Sequence, residues 1–240
     1  MGRSAALLVG LADVVAASGA TRVRLLEPGA SAGLNLLLDH FWFTGANRAW
    51  SWGEPRSPVR LEAAVEGDLG RAGAGPPPFV VVERRGCDLD PVDASSPSGR
   101  LLLTSFVWPF QVERHRRLAA ALRVAAEHPV RVEAAAAGDW LPGCLDVDDE
   151  PGTLTVVWNS ITALYWPPDE VVRVARVLAA AGERRPLAHV RMEYPDGGPV
   201  TARPEVRSTL WDGSGVPPRH RLLGTADDHG VPVRLLGGSG

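Results

Sequence analysis

The sequence contains no lysine; all 25 of its basic side chains are arginine. This absence excludes two large enzyme classes. A P-loop needs a lysine on the phosphates, and a pyridoxal enzyme needs one for its Schiff base. Cysteine is also scarce. Cys87 and Cys144 stand alone with no Cys-x-x-Cys, so the sequence holds neither a zinc motif nor a disulfide framework. That usage fits a reducing compartment, and the expected location is cytoplasmic. No apolar run reaches the roughly 18 residues of a membrane span, so no membrane is expected as partner. A net charge of −3 supports no binding to nucleic acid. No two histidines stand at helical ligand spacing, and Asp227-Asp228-His229 alone is a thin signal, so no metal is expected. Tyrosine occurs twice against eight tryptophans, and the large indoles are expected mostly in the core.

What is present is an ordinary globular composition. The 240 residues are 45% hydrophobic and 22% charged, enough for one domain with a full core. Leu7, Leu8, Leu11, Val14 and Val15 recur at helical spacing over 3–18, and Gly19 stops the pattern. Asp13 interrupts the apolar residues, so this reads as an amphipathic helix and not a signal peptide. Strands are predicted at 22–27, 79–83, 130–134, 153–158 and 186–192. Between them fall helices over 32–42, from Trp108-Pro109 to about Glu127, and over 168–182. Residues 44–78 read as an insert with a strand near Val59–Val65 in a hairpin. The tail has apolar runs at 206–211, 219–226 and 231–236, with a turn at Asp228-His229-Gly230. Strands alternating with helices predict a doubly wound, mostly parallel α/β sheet with an antiparallel C-terminal hairpin.

Glu27-Pro28-Gly29-Ala30-Ser31-Ala32-Gly33-Leu34-Asn35 joins the first of these strands to a helix. A small-residue turn there lets backbone N–H groups face a ligand. Two chemistries compete for it. An acid two residues before the first glycine, followed by Gly-x-Ser-x-Gly, resembles the loop that holds S-adenosylmethionine in Rossmann-like methyltransferases. The same residues spell the nucleophile elbow of α/β-hydrolases, with Ser31 attacking and Asp196 or Asp212 with His229 completing a triad. The elbow normally follows several strands, and only one precedes Ser31 here.

The order of elements resembles the class I methyltransferase fold. More closely, the chain resembles the domain-of-unknown-function 2332 family. The matching pieces are Leu26-Glu27-x-Gly29-Ala30-Ser31-Ala32-Gly33-Leu34-Asn35-Leu36, Arg85-Gly86-Cys87-Asp88-Leu89-x-Pro91-x-Asp93, Val107-Trp108-Pro109 and Asp228-His229-Gly230. The resemblance implies a methyltransferase-type Rossmann-like domain over 1–240, with S-adenosylmethionine as cofactor and a small molecule as acceptor. It places Glu27, Gly29, Ala30, Ser31, Gly33 and Asn35 around the methionine part. Asp88 would accept the ribose hydroxyls, and Asp139 would stand beside the adenine amino group with Trp140 on the ring. Asn159 and Ser160, ending a strand at the switch point, are the candidate catalytic pair. A degenerate, non-catalytic binding domain is the alternative. The family carries a helical region ahead of the point where this chain starts. A truncated chain is therefore expected, with helix 3–18 leaving an apolar face uncovered and prone to self-association.

Overall fold

Eleven strands form one mixed sheet in the computed structural model, which describes residues 1–70, 74–147, 149–195 and 202–237. Its strands are β1 (Arg22–Pro28), β2 (Trp42–Gly45), β3 (Ser51–Gly53), β4 (Arg60–Glu66), β5 (Val80–Asp88), β6 (Arg131–Ala134), β7 (Thr153–Ser160), β8 (Pro186–Glu193), β9 (Glu205–Asp212), β10 (Arg219–Ala226) and β11 (Val233–Leu235). The helices are α1 (Ser4–Ser18), α2 (Pro97–Ser105), α3 (Val112–Glu127), α4 (Ala137–Leu145) and α5 (Pro168–Gly182). The strand order is β3-β2-β4-β11-β10-β9-β8-β7-β1-β5-β6.

The segment β6-β5-β1-β7-β8 is wholly parallel. Renumbered within itself it runs 3-2-1-4-5, the order that leaves a crevice where the winding reverses, between β1 and β7. Beyond β8 the strands meander antiparallel through β9, β10 and β11. The two faces carry different helices. Leu154, Val156 and Trp158 of β7 pack with α1, α3 and the leucines of 34–38, whereas Val157 packs with α4 and α5. The period of two along β7 sets this division.

Four local expectations change. The stretch predicted as helix 32–42 is a 3-10 segment over Leu34–His40. Leu36, Leu37 and Leu38 are all fully buried, and three consecutive residues cannot share one face of an α-helix. The helix predicted from Trp108 starts at Val112; Trp108-Pro109-Phe110 form a turn with Trp108 and Phe110 exposed and stacked. Gly138-Asp139-Trp140 lie in the first turns of α4, a helix absent from the predicted elements. The insert joins the sheet: β2 and β3 form its hairpin, and β4 lies parallel to both β2 and β11.

The insert also decides the fate of α1. Leu7, Leu8, Leu11, Val14 and Val15 are buried, as are Ala5, Ala6 and Val9 on the other sides. α1 lies on the sheet and touches β4 and the 34–40 segment as well, so it is apolar nearly all round because it is buried nearly all round. Gly10 lets it approach closely, since a Cβ there would stand 2.1 Å from a Val190 methyl. The uncovered apolar face expected on this helix is absent. Gly19 in the left-handed conformation ends it, its N–H donating to Val15 O at 2.9 Å.

Candidate functional site

The turn after β1 has three positive φ angles, at Gly29 (75°), Ser31 (54°) and Gly33 (68°). Its amides point inward. Gly29 and Ala30 both donate to Cys87 O on β5, at 2.8 and 2.9 Å. Ser31 N donates to Asp88 Oδ2 at 2.8 Å, and Gly33 N donates to Ala30 O at 2.8 Å. The other Asp88 oxygen accepts from Asp90 N at 3.1 Å. Asp88 therefore braces the turn against the end of β5. The small residues serve close packing. A Cβ on Gly29 would lie 2.1 Å from Thr162 Cγ2, and one on Gly33 would lie 2.9 Å from Val130 Cγ1.

Glu27 sits on the same edge, at the end of β1, and is 1% exposed. Its Oε1 accepts from Asn35 Nδ2 at 3.1 Å and from Trp158 Nε1 at 3.0 Å, while Oε2 has no partner among the described residues. Burial pushes its pKa up to about 7, against the pull of Asn35, the Met1 ammonium, Trp158 and Arg3.

Asn159 and Ser160 end β7, both buried. The Asn159 amide is engaged at both ends. Nδ2 donates to Glu193 Oε1 at 2.6 Å, and Oδ1 lies 2.7 Å from His189 Nε2. Ser160 O accepts from Arg3 at 3.2 Å. Glu193 also receives the Thr162 and Ala163 amides at 3.0 and 3.3 Å, which holds the loop after β7. Side chains alternate along β7, so Asn159 faces the α4–α5 side and Trp158 faces Glu27.

Asp139 starts at the same edge, since Ala135 N bonds to Asp88 O at 2.9 Å just before α4. Its carboxylate points to the surface and pairs with Arg173 of α5. Trp140 turns into the core beside Leu26, Cys87, Leu141 and Val157, and its Nε1 donates to Glu133 Oε1 at 3.1 Å. Asp212 pairs with Pro186 at the start of β8, on the sheet edge opposite Ser31. It does not join a triad with that serine. Asp196 lies outside the described residues.

The chain matches, over residues 1–234, the family described as an uncharacterized protein conserved in bacteria (DUF2332). It belongs to that family. Neither the curated proteins nor the solved structures contain a match to it.

In this DUF2332 chain the outer side of the turn does line a cleft. Ala30, Ser31, Ala32, Leu34 and Asn35 form one wall, and Leu103, Phe106, Val107, Arg114, Arg117 and Leu118, from α2, α3 and the link between them, form the other. Arg3 and His229 close its end. The volume is about 230 Å³. Arg114 Nη1 lies 3.0 Å from His229 Nε2 and also bonds Gln111. Arg3 donates to Asp228 O and Ser160 O, at 3.1 and 3.2 Å. Burial, then Arg114 and Arg3, hold the His229 pKa below its usual value. The spacing of Arg114 and Arg117 puts them one helical turn apart on α3. Nothing in the sequence places that turn over Ser31. Among the described residues no group of three His, Cys, Asp or Glu side chains is placed to hold a metal, and no helix is long and apolar enough to cross a membrane.

Proposed function

We propose that this chain is a small-molecule-binding protein with a Rossmann-like core, its ligand seated in the cleft between the Ala30–Asn35 wall and α3. The observation that carries this reading is the position of the cleft. It opens at the carboxyl end of the central strand β1, beside the switch point between β1 and β7, where open α/β sheets take their ligands.

S-adenosylmethionine is the second reading. In its favour, Glu27, Asp88 and the start of α4 share one edge of the sheet, as in the methyltransferase type. Against it stand four features. The Gly29, Ala30 and Ser31 amides are spent on β5, Thr162 covers Gly29, Asp139 is paired outward, and Trp140 is in the core. The cleft volume also falls short of the ~300 Å³ at which pockets for larger ligands begin. As they stand, these groups do not fit that cofactor, and nothing about methyl transfer follows from them.

A thermal-shift panel on the full chain tests both readings. It contains S-adenosylmethionine, S-adenosylhomocysteine, nucleotides, amino acids and organic acids. A shift lost on filling the cleft with Ala32→Trp, with circular dichroism unchanged, supports the binding reading. A shift by S-adenosylmethionine that is lost in Asp88→Asn or Asp139→Asn selects the methyltransferase reading. A panel with no shift overturns both.

A further inference from the structure

The arginines of the cleft differ from every other shielded arginine described. Arg22, Arg24, Arg84, Arg85, Arg185, Arg207 and Arg234 are buried or half-buried, and each has a carboxylate within 4.0 Å. Arg3, Arg114 and Arg117 are half-buried too, yet none of them has such a partner among the described residues. Burial lowers the pKa of all three, and in Arg114 the charges of Arg3 and Arg117 add to the effect. Among the described residues no acidic side chain lines the cleft; Glu27 and Glu193 attract Arg3, and Glu113 attracts Arg117, only from beyond ion-pair distance. Shielded charge of one sign, left uncompensated, costs stability and creates a focused positive potential. Two of the guanidiniums are already oriented, Arg114 by Gln111 and His229, Arg3 by two carbonyls. Beside the arginines the lining is largely apolar, with Leu34, Leu103, Phe106, Val107 and Leu118, and Ser31 and Asn35 are its uncharged polar residues.

We infer that the cleft takes a small organic anion. Its carboxylate or phosphate group lies between Arg114 and Arg117, and its apolar part lies against Leu34, Leu103, Val107 and Leu118. Guanidinium groups suit both oxyanions because they offer paired, planar donors. A volume of about 230 Å³ restricts the ligand to a compact metabolite. This inference rests on the reading of the cleft as the ligand site.

The test is calorimetry on the full chain in chloride-free buffer with hexanoate, phenyl phosphate, inorganic phosphate and the neutral hexanamide. Hexanoate or phenyl phosphate is expected to bind at least tenfold more tightly than hexanamide, and their ratio decides between carboxylate and phosphate. Arg117→Gln and Arg114→Gln are each expected to weaken that binding tenfold or more. Arg117→Gln is also expected to keep or raise the melting temperature, because it removes an uncompensated charge. Hexanamide binding as tightly as hexanoate, and lost in Ala32→Trp, would overturn the anion and leave the ligand site standing. No binding by any of the anions overturns the inference, while the wider panel still decides the ligand site. A fall in stability of Arg117→Gln with binding intact also overturns it, since Arg117 is then a structural residue. Inorganic phosphate binding alone, equally in wild type and both variants, counts against it in the same way.

Discussion

The indole N–H of Trp158 donates to Oε1 of Glu27 at 3.0 Å, which joins the central strand β1 to its neighbour β7 inside the core. Both side chains are almost fully buried, and the second carboxylate oxygen of Glu27 has no partner among the described residues. A buried carboxylate in this state favours its proton.

Glu27 therefore makes stability pH-dependent in a direction opposite to most carboxylates. Its folded pKa of about 7 lies above the usual 4.5. Its stabilising contribution is complete below the unfolded pKa and declines as pH rises from there to the folded value. Glu27→Gln keeps an acceptor for Asn35 and Trp158 and removes the charge. The variant is expected to gain on wild type between about pH 4 and about pH 8 by a margin on the order of 3 kcal/mol. Urea unfolding across that range checks it; a constant difference between the two proteins contradicts the buried charge.

His189 gives the opposite sign. Burial, then the charge of Arg191, depresses its pKa to about 3 from 6.5, and its ring contacts the Asn159 carbonyl. Its contribution is intact above the unfolded pKa and is lost as pH falls towards the folded one. Wild type is expected to lose about 2 kcal/mol from this group between about pH 6.5 and about pH 5. His189→Gln keeps a donor to Asn159 and is expected to flatten that slope in the same unfolding series.

Gly29 combines a positive φ with the Thr162 side chain at its surface. Gly29→Ala is expected to destabilise the fold by about 1 to 3 kcal/mol from backbone strain and the contact together. Thr162→Ala in the same chain is expected to recover the contact part only. Full recovery in a double-mutant cycle contradicts strain at Gly29; none contradicts the contact.

Gly10→Ala sets local preference against packing. Alanine is favoured over glycine in a helix by about 1 kcal/mol. The added methyl, however, meets Val190 on β8 at 2.1 Å, and overpacking of that kind costs about 1 to 3 kcal/mol. A net fall in melting temperature is expected, reversed by Val190→Ala. A rise in the single variant means that α1 sits further from the sheet.

The sequence by itself determined what depends on neighbours along the chain. The apolar runs of β1, β7 and β8, the stop at Gly19 and the Pro-started helix α5 appear where the pattern placed them, because alternation, caps and proline geometry act over a few residues. The mostly parallel α/β sheet and its antiparallel end followed from the order of those elements. Tertiary structure alone decided the rest. The burial of Leu36 to Leu38 broke an apparent helix, because that segment packs against α1, α3, β5 and β3 at once. The union of β4 with β11 joined residues far apart in sequence and covered α1, a pairing no local window contains. The register of β1 on β5 turned the Gly29 and Ala30 amides towards Cys87 O and away from the cleft. The cleft itself was assembled from Arg3, Ser31, Arg114, Arg117 and His229, which only the packing of α3 and the N-terminal turn against the end of β1 brings together. Charge type is written locally, but whether an arginine finds a carboxylate or faces a cleft depends on what the fold sets beside it.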